Sequence, residues 1–201
     1  GGDCTARNLD FDSAGALRLV TEGEIVFYTT ADAEVMRGDL ETGEERALAT
    51  GRMSLGDLAI WDGYLYFSDF SSISRVPLQG GEPTVVVDLP STTYSLAIDA
   101  TGIYWAEGPS SLAFHTIERR TWDGARTTLA RDVQFPVGLS VGPAGLVYTD
   151  PYDLTAPAGT ARSVPLAGGP SVVLADTLPY PELPFQRDGF VYWMEAIDRE
   201  G

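Results

Sequence analysis

The chain has 201 residues, 44% of them apolar and 21% charged, and a formal net charge of −16. This is long enough for a substantial core; no apolar stretch reaches the length of a transmembrane helix, and the acidity disfavours a nucleic-acid partner, whose phosphates it would repel. All 13 basic residues are Arg, which excludes Schiff-base chemistry and a lysine phosphate cradle, while the single cysteine, Cys4, allows neither an internal disulfide nor a cysteine-built metal site.

The N-terminal Gly1-Gly2-Asp3-Cys4-Thr5 has neither the basic nor the apolar region of a signal peptide. An export signal, if one exists, lies upstream. Ala6-Arg7-Asn8-Leu9 then lines up with Ala130-Arg131-Asp132-Val133. This segment reads as an outer strand that lacks its first three partners.

From there one pattern recurs five times: Ile25 to Thr30, Leu65 to Asp69, Ile103 to Glu107, Leu146 to Asp150 and Val191 to Glu195. From Phe27 to Tyr66, Tyr104, Val147 and Tyr192 the spacings are 39, 38, 43 and 45 residues, the period of a four-stranded propeller blade. Each segment follows a Gly-bearing hairpin turn, such as Asp62-Gly63 or Asp188-Gly189. Apolar runs at Leu58-Ala59-Ile60, Leu96-Ala97-Ile98 and Leu139-Ser140-Val141 precede three of the turns. A third strand follows (Val35 to Leu40, Ile73 to Leu78, Ile117 to Trp122, Ala161 to Leu166), then a Gly turn and a fourth strand. No stretch carries a 3.6-residue period. The expected fold is therefore all-β: a propeller of four-stranded antiparallel blades, four complete and others partial, read as part of a larger ring.

The expected organisation is a single propeller domain over 1–201. Its parts are the outer strand of a closing blade and link (1–15), blades one to four (16–50, 51–90, 91–133, 134–178) and the start of a fifth (179–201). The unpaired edge of that last blade should attract additional chain or self-association.

Tyr104-Trp105-Ala106-Glu107, Val147-Tyr148-Thr149-Asp150, Pro136-x-Gly138-Leu139 and Arg75-x-x-Leu78-x-Gly80 resemble the YWTD repeat of low-density-lipoprotein-receptor-type propellers. They are closer still to bacterial proteins that carry this repeat with a Val-Pro-Leu-x-Gly-Gly turn. The resemblance spans nearly the whole chain and implies the fold; for function it implies only that such propellers mostly bind other molecules. Blade one departs from it with Phe27-Tyr28-Thr29-Thr30, and Ser163 stands where Arg37, Arg75 and Arg119 stand elsewhere.

Antiparallel strands A to D fix which loops share a face. Loops joining B to C, and D to the next A, lie on one side of the disc, and the short A–B and C–D turns lie on the other. The first side holds the irregular segments, including long B–C loops over 106–116 and 150–160, and function concentrates in such loops. The expected binding patch is Phe114, His115, Tyr152 and Asp153, with Phe135 and Tyr180 as an inner wall.

The recurring acids Asp69, Glu107, Asp150 and Glu195 have two readings: a carboxylate ring for a divalent cation, or caps on backbone amides between blades. The second suits evenly repeated residues. The repeated Arg37, Arg75 and Arg119 should link blades, and Trp105, Trp193 and Trp122 should fill the space between them. His115, the only histidine, breaks the repeat, but no Gly-x-Ser-x-Gly elbow supplies a nucleophile beside it.

The functional expectation is a non-catalytic binding module, secreted, periplasmic or surface-displayed, that takes a protein or carbohydrate partner. No catalytic residue, metal ligand or cofactor is assigned. The alternatives are a propeller enzyme of lactonase or lyase type, with channel-mouth carboxylates and a divalent metal, and a structural spacer.

Overall fold

In a computed structural model, residues 18–91, 93, 95–109, 114–151 and 158–195 are described. They contain no helix. Blade one is β1 (Arg18–Glu22), β2 (Ile25–Thr29), β3 (Val35–Asp39) and β4 (Glu45–Ala49), and blade two is β5 (Leu58–Trp61), β6 (Tyr64–Ser68), β7 (Ser72–Pro77) and β8 (Thr84–Asp88). Blade three is β9 (Leu96–Asp99), β10 (Gly102–Glu107), β11 (His115–Thr121) and β12 (Arg126–Val133). Blade four is β13 (Gly138–Gly142), β14 (Gly145–Asp150), β15 (Gly159–Val164) and β16 (Val172–Leu178). A hairpin of β17 (Pro181–Arg187) and β18 (Phe190–Glu195) begins a fifth.

Every sheet is an antiparallel meander, and the inner strands β1, β5, β9, β13 and β17 neighbour one another in that order. The molecule is a four-bladed propeller arc with a partial extra sheet. The hairpins form because Asp62-Gly63 (φ 49° and 77°) and Asp188-Gly189 (φ 53° and 81°) place both central residues in the left-handed region, the twist that matches the strands they join.

The repeat alignment is a register in space. Phe27 lies opposite Arg37, Tyr66 opposite Arg75, Tyr104 opposite Arg119 and Val147 opposite Ser163. Second strands have one face on the blade before and one on the blade after, so they are buried along nearly their whole length. The core therefore lies between blades. Phe27, Val35 and Leu48 meet Leu58, Leu65 and Phe67; Tyr66, Ile73 and Val87 meet Leu96, Ile103 and Trp105; Tyr104, Ile117 and Leu129 meet Leu139, Leu146 and Tyr148. Each such side chain contributes about 1.5–3 kcal/mol by leaving water.

Several expectations need correction. Trp105 is fully buried, but Trp193 is half-buried and Trp122 is 39% exposed. Trp122 touches the Tyr66 ring of blade two at 6.1 Å and its indole donates to Asp99 O, so it covers the rim of the junction. Arg119 reaches blade four through Leu166 O at 3.2 Å, whereas Arg75 stays within blade two, over the Tyr64 ring at 4.4 Å. Strands extend further than expected, since β10 runs through Glu107 and β11 begins at His115. The long B–C connections are thus 108–114 and 151–158, and their residues 110–113 and 152–157 lie outside the described residues.

The fifth blade is seated by glycine. A Cβ on Gly138 would sit 2.5 Å from Pro184 Cδ and 3.0 Å from Leu183 N, so β13 and β17 touch backbone to backbone there. On the far side of the hairpin, Phe185, Phe190, Tyr192 and Met194 are exposed, and Phe185 stacks on Tyr192 at 4.8 Å.

Candidate functional site

The face that carries the B–C loops and D–A connections is built on a seam of buried polar groups. Before β5, Asp57 accepts the amide of Leu58 at 2.9 Å and that of Leu96, on the next inner strand, at 3.1 Å. Burial pushes its carboxyl above the usual carboxylate range, with the two amides opposing. One blade on, Ser95 donates to Pro136 O at 2.9 Å. Neighbouring blades are stitched together at the mouth by these side-chain bonds.

Each repeated acid has its own structural partners. Asp150 Oδ2 accepts the amides of Gln134 (3.1 Å) and Phe135 (3.3 Å), which tie blade four to the connection from blade three. Asp69 Oδ1 accepts the amides of Ser71 and Ser72 and the Ser72 hydroxyl, and Oδ2 faces Arg52 at 3.6 Å. Glu107 takes the Trp105 indole at 3.0 Å and the Arg126 guanidinium at 2.9 Å, and Glu195 takes the Trp193 indole at 3.1 Å. Only Asp150 caps amides across a blade junction as expected. Among the described residues no three His, Cys, Asp or Glu side chains gather in a metal-holding group.

The expected patch is partly assembled. Phe114 is 60% exposed on the blade-three loop. His115, read from the sequence as a loop residue, is the first residue of β11 and buried. Its Nδ1 lies 2.5 Å from Gln134 O; a carbonyl only accepts, so Nδ1 carries the hydrogen. The imidazole meets the half-buried Phe135 ring edge-on at 5.5 Å. His115 and Phe135 thus form a fixed pair, with Asp150 holding the Phe135 amide. Tyr180 stands on the connection to blade five, 42% exposed and in left-handed backbone at φ 45°. Tyr152 and Asp153 lie outside the described residues.

Two exposed residues of this face lie outside the expected patch. Met53 is 70% exposed and Phe70 52% exposed, and the Phe70 amide donates to Met53 O at 3.0 Å. Arg52 beside them lies over the Phe67 ring at 5.2 Å. The available signal was Phe70 itself, a large apolar residue in a short B–C loop directly after the repeated acid. Asp57 was also missed, because it precedes the strand and the repeat has no acid at that position in other blades.

A scan of family models and a search of curated proteins return no match. Among solved structures the chain is similar to one in a nidogen/laminin complex (20% identity, TM-score 0.75, covering 90% of this chain and 72% of that one). It is also similar to a virginiamycin B lyase from Staphylococcus aureus, an inactive variant with quinupristin (16%, TM-score 0.71, 94% and 66%). A third is regucalcin, a calcium-binding protein from Agrobacterium tumefaciens (13%, TM-score 0.68, 90% and 67%). At these identities the likeness establishes the β-propeller fold and leaves the function to the residues of this chain.

Proposed function

We propose that this chain is an exported, non-catalytic binding module that engages a protein or carbohydrate partner through the loop face of its disc. One observation carries the reading. Met53, Phe70, Phe114 and Tyr180, all large and exposed, stand on that face. The opposite turns of blades one to four are short and Gly-based, with Trp122 the large exposed exception. Rigid apolar side chains on a scaffolded face are what binding hot spots are made of.

The engagement of the other groups supports the same reading. Asp69, Asp150 and His115 are occupied by backbone amides, a hydroxyl and a carbonyl, which suits them to hold loops in place. The likeness to a chain of the nidogen/laminin complex offers a protein-binding precedent for the fold.

The test replaces residues 108–114 and 151–158 with the short connections of blades one and two, and separately changes Phe70→Ser and Phe114→Ser. Strands are untouched, so the melting temperature should stay near that of the native chain. Pull-down and glycan-array signals should fall in each variant. Undiminished binding by all of them would move the interaction to another surface and refute the proposal.

A further inference from the structure

On the turn side of the disc the junction of blades two and three departs from the repeat at two positions. Tyr64 opens the second strand of blade two, directly after the Asp62-Gly63 turn, and Trp122 follows the third strand of blade three, directly before Asp123-Gly124. At the junction of blades one and two the aligned residues are Ile25 and Leu78; at the junction of blades three and four they are Gly102 and Leu166. The repeated arginine is present at all three junctions, as Arg37, Arg75 and Arg119, but only Arg75 has both aromatic residues in its surroundings. A feature that serves the repeat recurs in it. This pair occurs once.

We propose that Tyr64, Arg75 and Trp122 form a second interaction surface, which takes an acidic side chain of a protein partner together with an apolar side chain beside it. The cluster lies on the face of the disc opposite Met53, Phe70 and Phe114, and it does not rest on the loop-face reading.

The Arg75 guanidinium lies over the Tyr64 ring, 4.4 Å from its centroid, and Nη1 donates to the Tyr66 hydroxyl at 3.4 Å. Nε is shut off from solvent without a partner, whereas Nη2, also unbonded among the described residues, is not sealed. No acid among the described residues pairs with Arg75. Arg119, by contrast, spends its guanidinium on Leu166 O and Thr101 O. A stacked guanidinium is already ordered, so gripping a carboxylate immobilises little more, and the bond formed is charge-assisted. Trp122 is held as firmly: its ring packs on Tyr66 at 6.1 Å and its indole donates to Asp99 O at 3.1 Å, which leaves 39% of it exposed. Trp, Tyr and Arg are the residue types that dominate binding hot spots. A net charge of −16 and the exposed Asp62 at the rim resist a densely acidic partner. One carboxylate set among apolar contacts matches what the cluster offers.

The test pans a phage-displayed library of random heptapeptides against the purified chain and measures the selected peptides by fluorescence anisotropy. Selected peptides should carry Asp or Glu next to an aliphatic or aromatic residue. Exchanging that acid for its amide should weaken binding to the native chain about ten-fold. The same exchange should matter far less in Arg75→Gln, because both changes remove one contact. Trp122→Leu and Tyr64→Ile install residues that other blades use at these positions, so both should keep the native melting temperature. Trp122→Leu should weaken binding at least about ten-fold, and Tyr64→Ile roughly two- to five-fold, the share of one cation–π contact. Phe70→Ser and Phe114→Ser should leave the peptides bound, which separates failure of this proposal from failure of the loop-face reading. It is overturned by a library that yields no acid-bearing binder, by native affinity in Trp122→Leu, or by an undiminished effect of the amide exchange in Arg75→Gln. A glycan-array signal that Trp122→Leu abolishes, with no peptide selected, would give the surface to a carbohydrate and overturn it as well.

Discussion

Asp57, at the entry to the inner strand of blade two, holds the amide of Leu96 on the inner strand of blade three at 3.1 Å, and burial raises its pKa. In the folded chain this carboxyl binds its proton more tightly than an unfolded Asp does. Its contribution to stability is therefore fully present below the unfolded value of about 4 and is lost as pH rises through the raised folded value. Other carboxyls, such as Asp39 and Asp123, are shifted the opposite way by local hydrogen bonds, so the native curve alone mixes signs. The difference in melting temperature between the native chain and Asp57→Asn isolates the effect. It should move in favour of the native chain as pH falls from 7 toward about 4, and a flat difference would contradict the assignment.

Asp150 and Asp69 are buried and accept backbone amides. Asp150→Asn leaves one oxygen to accept the Gln134 and Phe135 amides, without the full charge, and should cost on the order of 1 kcal/mol. Asp69→Asn should cost on the order of 1 kcal/mol, since the surviving oxygen can still accept the Ser71 and Ser72 amides. Urea unfolding measures both. Added calcium should leave the native melting temperature unchanged; a rise that the variants abolish would instead favour a cation site.

Thr177 sits at φ 56° on the bulge that ends blade four, where blade three has Asp132 (φ 57°) and blade one has Gly51 (φ 66°). A β-branched residue is strained in left-handed backbone. Thr177→Gly relieves that strain against a smaller loss of chain entropy and should stabilise by about 0.5–1 kcal/mol. Chemical denaturation that shows no gain would mean the turn can relax with Thr in place.

Gly138 lets β13 and β17 touch. Gly138→Ala places a methyl against Pro184 and Leu183 and should destabilise by about 1–3 kcal/mol, as overpacking does. Hydrogen exchange should then quicken first in β17 and β18, the elements that lose their seat.

The β18 hairpin exposes Phe185, Phe190, Tyr192 and Met194, and its outer edge pairs with no strand among the described residues. Residues 1–201 on their own should self-associate with concentration in sedimentation velocity. Tyr192→Lys with Phe185→Lys should reduce that association, and a concentration-independent monomer would contradict it.

The sequence by itself determined the blades. Apolar segments at a fixed spacing and Gly turns at fixed offsets are local properties, and each blade repeats them, so Phe27, Tyr66, Tyr104 and Val147 align from the sequence. It also determined which loops share a face, because antiparallel strands leave no alternative. Tertiary structure decided what the side chains on that face do. His115 reads as a loop residue, yet β11 begins two residues earlier than the repeat suggests, and the imidazole is spent on Gln134 O. Asp57 and Leu96, and Met53 and Phe70, are brought together by the packing of one strand or blade on another. Those pairings depend on blade rotation and loop path, which residue spacing along a chain does not encode.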